Sequence, residues 1–146
     1  MIEREALMSE LWSRMSQVKT SIYTTRNSSI PLKLENLPAI QIFEGDDMVQ
    51  EESQRGGYPI YRRLLAVQIE LCINATSEGA ASKELGEFVD LCKKKLYAGG
   101  ANLGGKCSRI KEVGMGAVIR PPIGDTAIAV GFEVEVLYTE EVSKII

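Results

Sequence analysis

The chain predicts an α+β domain: a two-layer sandwich of two helices packed on one face of a largely antiparallel four-stranded sheet, in the order α-β-β-α-β-β. Three observations predict it. First, Tyr61 to Asn74 alternates throughout, with Leu65, Val67, Ile69, Leu71 and Ile73 on one side and Leu64, Ala66, Gln68, Glu70 and Cys72 on the other, because successive strand side chains point to opposite faces. One oily and one wetter face marks an antiparallel sheet covered on one side only. Second, about Thr126 to Thr139 repeats the pattern: Ile128, Val130, Phe132, Val134 and Val136 oppose Ala129, Gly131, Glu133 and Glu135. Third, each half of the chain reads as helix, turn, short strand, long loop and long alternating strand, which a two-layer arrangement buries economically.

The elements follow in order. From Glu3 to about Tyr23, Leu7, Leu11, Met15, Val18 and Ile22 recur at intervals of four, four, three and four and form one stripe, widened by Met8 and Trp12. Glu3 and Glu5 suit the positive end of a helix and Lys19 the negative end. The polar face is mixed in sign rather than basic, so the stripe is read as packing on the sheet and not on a membrane. Thr24 to Ser29 reads as a polar loop. Leu37 to Glu44 is the first strand, with Pro38 at its start, where a missing amide is tolerated. Gly45-Asp46-Asp47 breaks it. Met48 to Pro59 has neither periodicity and reads as a long mobile hairpin loop, before the long strand. After a turn with Thr76 or Ser77 as N-cap, Glu78 to about Ala98 is the second helix. Its stripe is Leu85, Phe88, Val89, Cys92 and Leu96, its last turns hold Lys93-Lys94-Lys95, and Gly99-Gly100 ends it. Cys107 to Val113 is a shorter strand and Gly114 to Asp125 a second hairpin loop. The closing strand is followed by a tail, Glu140 to Ile146, expected to be loose.

Composition bounds the function. The 146 residues suit a single domain, 1–146, with a real core. A formal net charge of −3 argues against a general nucleic-acid binder. The chain has no histidine, which removes Ser-His-Asp and Cys-His arrangements. Cys72, Cys92 and Cys107 form no Cys-x-x-Cys pair and are expected to be buried, reduced thiols of a cytosolic protein, without disulfide or zinc. Met1-Ile2-Glu3-Arg4-Glu5 is charged, so no signal peptide is expected, and no apolar run is long enough for a membrane span.

Some motifs invite chemistry. Gly100-Ala101-Asn102-Leu103-Gly104-Gly105-Lys106-Cys107 approaches a phosphate-binding loop, but Cys107 stands where Ser or Thr would hold Mg²⁺. It also follows a helix and opens a strand, the reverse of the order that aims amides and dipole at phosphate; it is read as a helix-ending turn, and a small nucleotide-binding protein using this turn, Gly100 to Lys106, is the alternative function. Glu44, Asp46, Asp47, Glu51 and Glu52 resemble a hard-cation site and are read as an acidic loop tip. Arg55, Arg62, Arg63 and Arg120 gather around the two loops, either as a solvated face or as a contact rim. No cofactor is expected, and no enzymatic activity.

The chain resembles the phage tail terminator family, the minor tail protein U-like proteins. The carriers are the N-terminal helix with Leu7, Leu11 and Met15; Leu37-Pro38-Ala39-Ile40-Gln41-Ile42; the strand Leu64 to Ile73; the helix Leu85 to Leu96; the turn Leu103-Gly104-Gly105; and the strand Ile128 to Tyr138. The resemblance implies a non-enzyme in the virion tail, assembled in the bacterial host cytoplasm. It implies a ring, typically of six subunits, on the last ring of the tail tube, where it stops growth and offers the surface that the filled head joins. The implied partners are further copies of itself, the major tail tube protein and a head-completion or connector protein, with no membrane and no specific nucleic acid. A head–tail connector, or neck protein, can share this size and element order. Loop length points to Gly45–Pro59 and Gly114–Asp125 as contact segments. Asp46, Asp47, Arg55 and Tyr58, with Arg62, Arg63 and Arg120, are the candidate interface residues.

Overall fold

The computed structural model describes residues 3–145. Met1, Ile2 and Ile146 lie outside them, and with them the first residues of the signal-peptide reading and the last of the tail. The elements are α1 (Glu3–Ser16), β1 (Tyr23–Arg26), β2 (Ala39–Arg55), β3 (Tyr58–Asn74), α2 (Ala81–Leu96), β4 (Arg109–Met115) and β5 (Ala127–Glu141). They form two helices and one mixed sheet in the order β1-β2-β3-β5-β4, with β1 parallel to β2 and every other neighbour antiparallel. The sheet therefore has five strands rather than four.

The additional strand, Tyr23-Thr24-Thr25-Arg26, falls in the stretch expected to end a helix and open a polar loop. Four residues are too few to show alternation. Its neighbour defines it: Tyr23 N–H donates to Pro38 C=O at 3.1 Å and Asn27 N–H to Ile42 C=O at 2.7 Å. The helix before it stops at Ser16 because the Gln17 and Val18 amides fall back on carbonyls three residues earlier, and Ser21 takes φ 61° to redirect the chain. Val18 and Ile22 still reach the core, but from this turn. Trp12 is 44% exposed, so the buried stripe is Leu7, Met8, Leu11 and Met15.

The oily faces meet as expected. Ile40, Ile42, Val67, Ile69, Leu71, Val130, Phe132, Val134 and Val136 lie under both helices, and α2 sends Leu85, Phe88, Cys92 and Leu96 into the same layer. Each large apolar side chain buried here contributes about 1.5–3 kcal/mol. Gln68, Glu70, Glu133 and Glu135 lie on the opposite, open face, with Glu70 exposed.

The largest correction concerns Met48 to Pro59. It is not a mobile loop. β2 continues through it to Arg55, and β3 starts at Tyr58, so two 17-residue strands make one hairpin. Gly56 and Gly57 join them with φ of 61° and 84°, the left-handed pair that a tight two-residue hairpin turn requires. At ~3.3 Å per residue each strand is roughly 55 Å long, longer than the helices beneath can cover. Glu51 to Tyr58 are all exposed. With no core under them, both faces are polar, and a period-2 signal needs one buried face to exist.

Other boundaries differ less. α2 begins after Ser77 Oγ accepts the Ala80 amide at 3.2 Å, and Glu84 binds both the Thr76 amide and hydroxyl. β4 starts at Arg109 and extends to Met115. The tail is not loose as far as it is described. β5 runs to Glu141, Val142–Lys144 makes a turn, and Lys144 Nζ lies 3.7 Å from Glu141 and 3.9 Å from Glu3.

Candidate functional site

The break at Gly45-Asp46-Asp47 is a β-bulge. Glu44 pairs with Val67 and Asp47 with Leu65, so Gly45 and Asp46 both oppose Ala66. One extra residue reverses the alternation, and Glu44 and Asp47 emerge on the same face, toward α1. Glycine suits the bulge because a Cβ at Gly45 would sit 3.3 Å from the Ala66 carbonyl oxygen.

On that face the two carboxylates meet three arginines from distant segments. Arg4 of α1 reaches Glu44 and Asp47, both at 2.9 Å. Arg26 of β1 bridges Glu44 at 2.8 Å and Glu5 at 2.7 Å. Arg63 of β3 bonds Glu140 of β5 at 2.9 Å and lies 3.6 Å from Asp47. The buried Tyr138 hydroxyl donates to Asp47 at 2.5 Å. Asn27 donates to the Glu44 carboxylate at 2.6 Å and accepts the Glu44 amide at 2.8 Å. Burial pushes the Glu44 carboxyl up, but hydrogen bonds from Arg26, Asn27 and Arg4 overcome it and bring the pKa down to about 2. Burial, and then the bond to Asp47, push the Tyr138 phenol up. This clasp closes one end of the core and ties α1 and all strands but β4 to the root of the hairpin. Its members are far apart in sequence, and no local pattern announced it.

The seven predicted contact residues divide. Asp47 and Arg63 point inward, into the clasp. Asp46 is exposed in the bulge. Arg55 and Tyr58 face each other at the hairpin tip, where Arg55 lies 4.0 Å from Glu141. Arg62 is half-buried on the open face, opposite Glu51 and Thr139. Arg120 is exposed at the other end of the sheet, in the segment after β4. The hairpin thus gathers most of the set, with Arg120 apart.

The segment from Lys111 to Arg120 is exposed throughout. Gly116 N–H donates to Gly131 C=O at 2.8 Å and Ile119 bridges Ala129, so the chain stays beside β5 past the end of β4. Val113, Met115, Val118 and Ile119 present an apolar patch there. Met115 and Val118, with Leu85, Val89 and Lys93 of α2, line a groove of about 370 Å³. The run Gly-Ala-Val-Ile at 116–119 was the available signal: aliphatics without a partner element. A second cleft, about 320 Å³, lies on the open face between Pro31, Leu32, Gln41, Cys72, Ile119 and Pro122.

The near-phosphate loop is a turn between α2 and β4. The amides of Gly105 and Cys107 both go to Asn102 C=O, at 3.0 and 3.2 Å, and that of Lys106 to Leu103 C=O at 3.3 Å. Those donors are spent on the turn itself. The acidic stretch does not converge either: Glu44 and Asp47 are held by arginines, and Glu51 and Glu52 point to opposite faces of the strand. Among the described residues, no group of three or more Cys, Asp or Glu could hold a metal ion. Cys72, Cys92 and Cys107 are free and buried, and burial pushes their thiols up, to about 11, 12 and 11.

These features define an α+β domain whose conspicuous surfaces are strand edges and a projecting hairpin. No family model matches the chain, and no curated protein does. Among solved structures it is similar to a chain described as "Virion of native gene transfer agent (GTA) particle", at 10% identity and a TM-score of 0.34, with 90% of this chain and 91% of that chain covered. No described helix is long and apolar enough to cross a membrane.

Proposed function

We propose that the protein is a structural subunit of a phage-type tail that forms a ring on the head-proximal end of the tail tube, stops tube growth and offers the surface to which the head joins. It acts by contact and without turnover. The observation that carries the reading is the hairpin. Residues 45–60 extend an ordered, solvent-exposed ribbon past the helices, anchored at its root by the clasp, where a lone domain has no use for one. Long exposed strand edges left uncovered are a liability unless something pairs with them. The order and spacing of segments that resemble the tail terminators, from Leu7 to Tyr138, supply the particular assignment. The tube protein and a head-completion protein are the partners this role requires, and the tail of a virion or tail-like particle is its place.

Deleting the gene in its phage or prophage and measuring tail tubes by negative-stain electron microscopy tests the role. Overlong, headless tubes are the expected result. Tubes of normal length beside full heads would reassign the protein to the head–tail joint, and normal infectious particles would sink both roles.

A further inference from the structure

We propose that subunits join edge to edge: the free outer edge of the β2 arm of one copy lies along Val113–Val118 of the next, with Val49 against its apolar patch. The inference deepens the ring reading above and rests on it.

Both edges lack a partner within the chain. β1 and Asn27 cover β2 only as far as Glu44. On the opposite edge, Ile110 N–H is taken by Ala101 C=O at 2.7 Å and Lys93 of α2 holds the Glu112 side chain, so the free part is taken from Val113. Unpaired strand edges are templates for strand addition, with flanking side chains setting specificity. The side chains match. Val49, 48% exposed and level with Arg63 on the helix side, is set against Met115 and Val118 beside the α2 groove, while Met48, 60% exposed, projects from the open side. The charges match as well. Asp46, Glu51 and Glu52 are exposed on the arm, and Lys111 and Arg120 on the other edge, none with a salt-bridge partner among the described residues. Glu112, the acid of β4, is already neutralised by Lys93 at 2.7 Å.

The geometry closes. β2 and β4 run in opposite directions, so copies related by rotation about an axis near the strands would pair antiparallel. Val49 is level with Arg63 of β3, and Met115, through Phe132, with Ile69. Those levels are six residues apart, roughly 20 Å, while the four strands between the joined edges, β2, β3, β5 and β4, span about 19 Å across. Successive copies would then step along the strands about as far as across them, inclining the strands by roughly 45°, the upper end of the ~35–45° of closed barrels. Two unlike patches on one subunit, with a rotation that closes, make a ring.

Two charge-reversed chains test this: Glu51→Lys with Glu52→Lys, and Lys111→Glu with Arg120→Glu. All four side chains are exposed, and far-UV circular-dichroism spectra should match wild type. By sedimentation velocity, wild type should form a closed oligomer, each reversed chain should run at monomer mass, and an equimolar mixture should recover rings with an even number of subunits, because each reversed arm now fits the other chain's edge. If wild type assembles and either reversed chain assembles equally well, or if the mixture stays monomeric, the edge pairing is wrong while the ring reading stands. A wild-type chain that remains monomeric at its highest soluble concentration overturns the pairing and also removes self-assembly from the proposed role.

Discussion

Glu44 is the residue on which the clasp turns. Its side chain is 7% exposed and accepts from two arginines and an asparagine. A buried carboxylate of this kind is strongly unfavourable alone and favourable only with its partners. Its folded pKa, about 2, lies below the unperturbed value of ~4.3. The stabilisation is therefore complete above about pH 4.3 and is lost as pH falls toward 2, amounting to about 3 kcal/mol at most. Urea midpoints should decline over that window in wild type. Glu44→Gln should lower the midpoint at pH 7 and flatten the decline, and an unchanged slope would rule out Glu44 as its source. The thiols make a second case at this scale. The thiolate is the reactive form, and burial disfavours it at Cys72, Cys92 and Cys107. All three should resist a water-soluble thiol reagent at pH 8 in the native protein and react promptly in urea.

The hairpin and α2 illustrate two kinds of stability at the level of elements. Gly57 has φ 84° and nothing within 4 Å of a built Cβ, so Gly57→Val meets backbone strain rather than a clash, costing about 1–2 kcal/mol. The tip touches no core. The cost should appear as faster amide exchange over residues 50–60 with a nearly unmoved global urea midpoint. Phe88, fully buried between α2 and the sheet, is the contrast. Phe88→Ala should remove about 3–5 kcal/mol from global stability. Equal effects from the two changes would mean that the hairpin tip folds as part of the core. Aliphatic spacing located α2 and the long strands to within a few residues, because each has one face against the core. β1 and the distal half of β2 escaped because neither does.

For the whole molecule, charge distribution matters more than net charge. Acids without salt-bridge partners among the described residues line the open face at Glu70, Glu133 and Glu135 and the arm at Glu51 and Glu52, while Arg109, Lys111 and Arg120 mark the far edge. If these opposed edges meet, association is partly electrostatic and exposed charges are screened beyond a Debye length of about 10 Å at 0.1 M salt, falling to ~3 Å at 1 M. Oligomers measured by sedimentation should therefore weaken between 0.1 and 1 M NaCl. Association that strengthens with salt would assign the contact to the apolar residues, Val49, Met115 and Val118, alone.

The α+β class, the two helices, most of the core residues and the long alternating strands β3 and β5 follow from the sequence by itself, because burying one face of an element writes a period of 3.6 or 2 into the chain. Most of the contact candidates were visible only as charged residues of aperiodic loops, and Arg62 and Arg63 as the start of the long alternating strand. Which were internal and which external was decided by tertiary structure. The bulge at Gly45-Asp46 turned Asp47 to the arginine side, and the pairing of β3 with β5 brought Arg63 against Glu140. The same stretch of acids and arginines thus holds both an internal clasp and an exposed arm. No sequence period distinguishes them, because each salt bridge of the clasp joins residues 16 to 77 positions apart and exists only once the sheet has set its register.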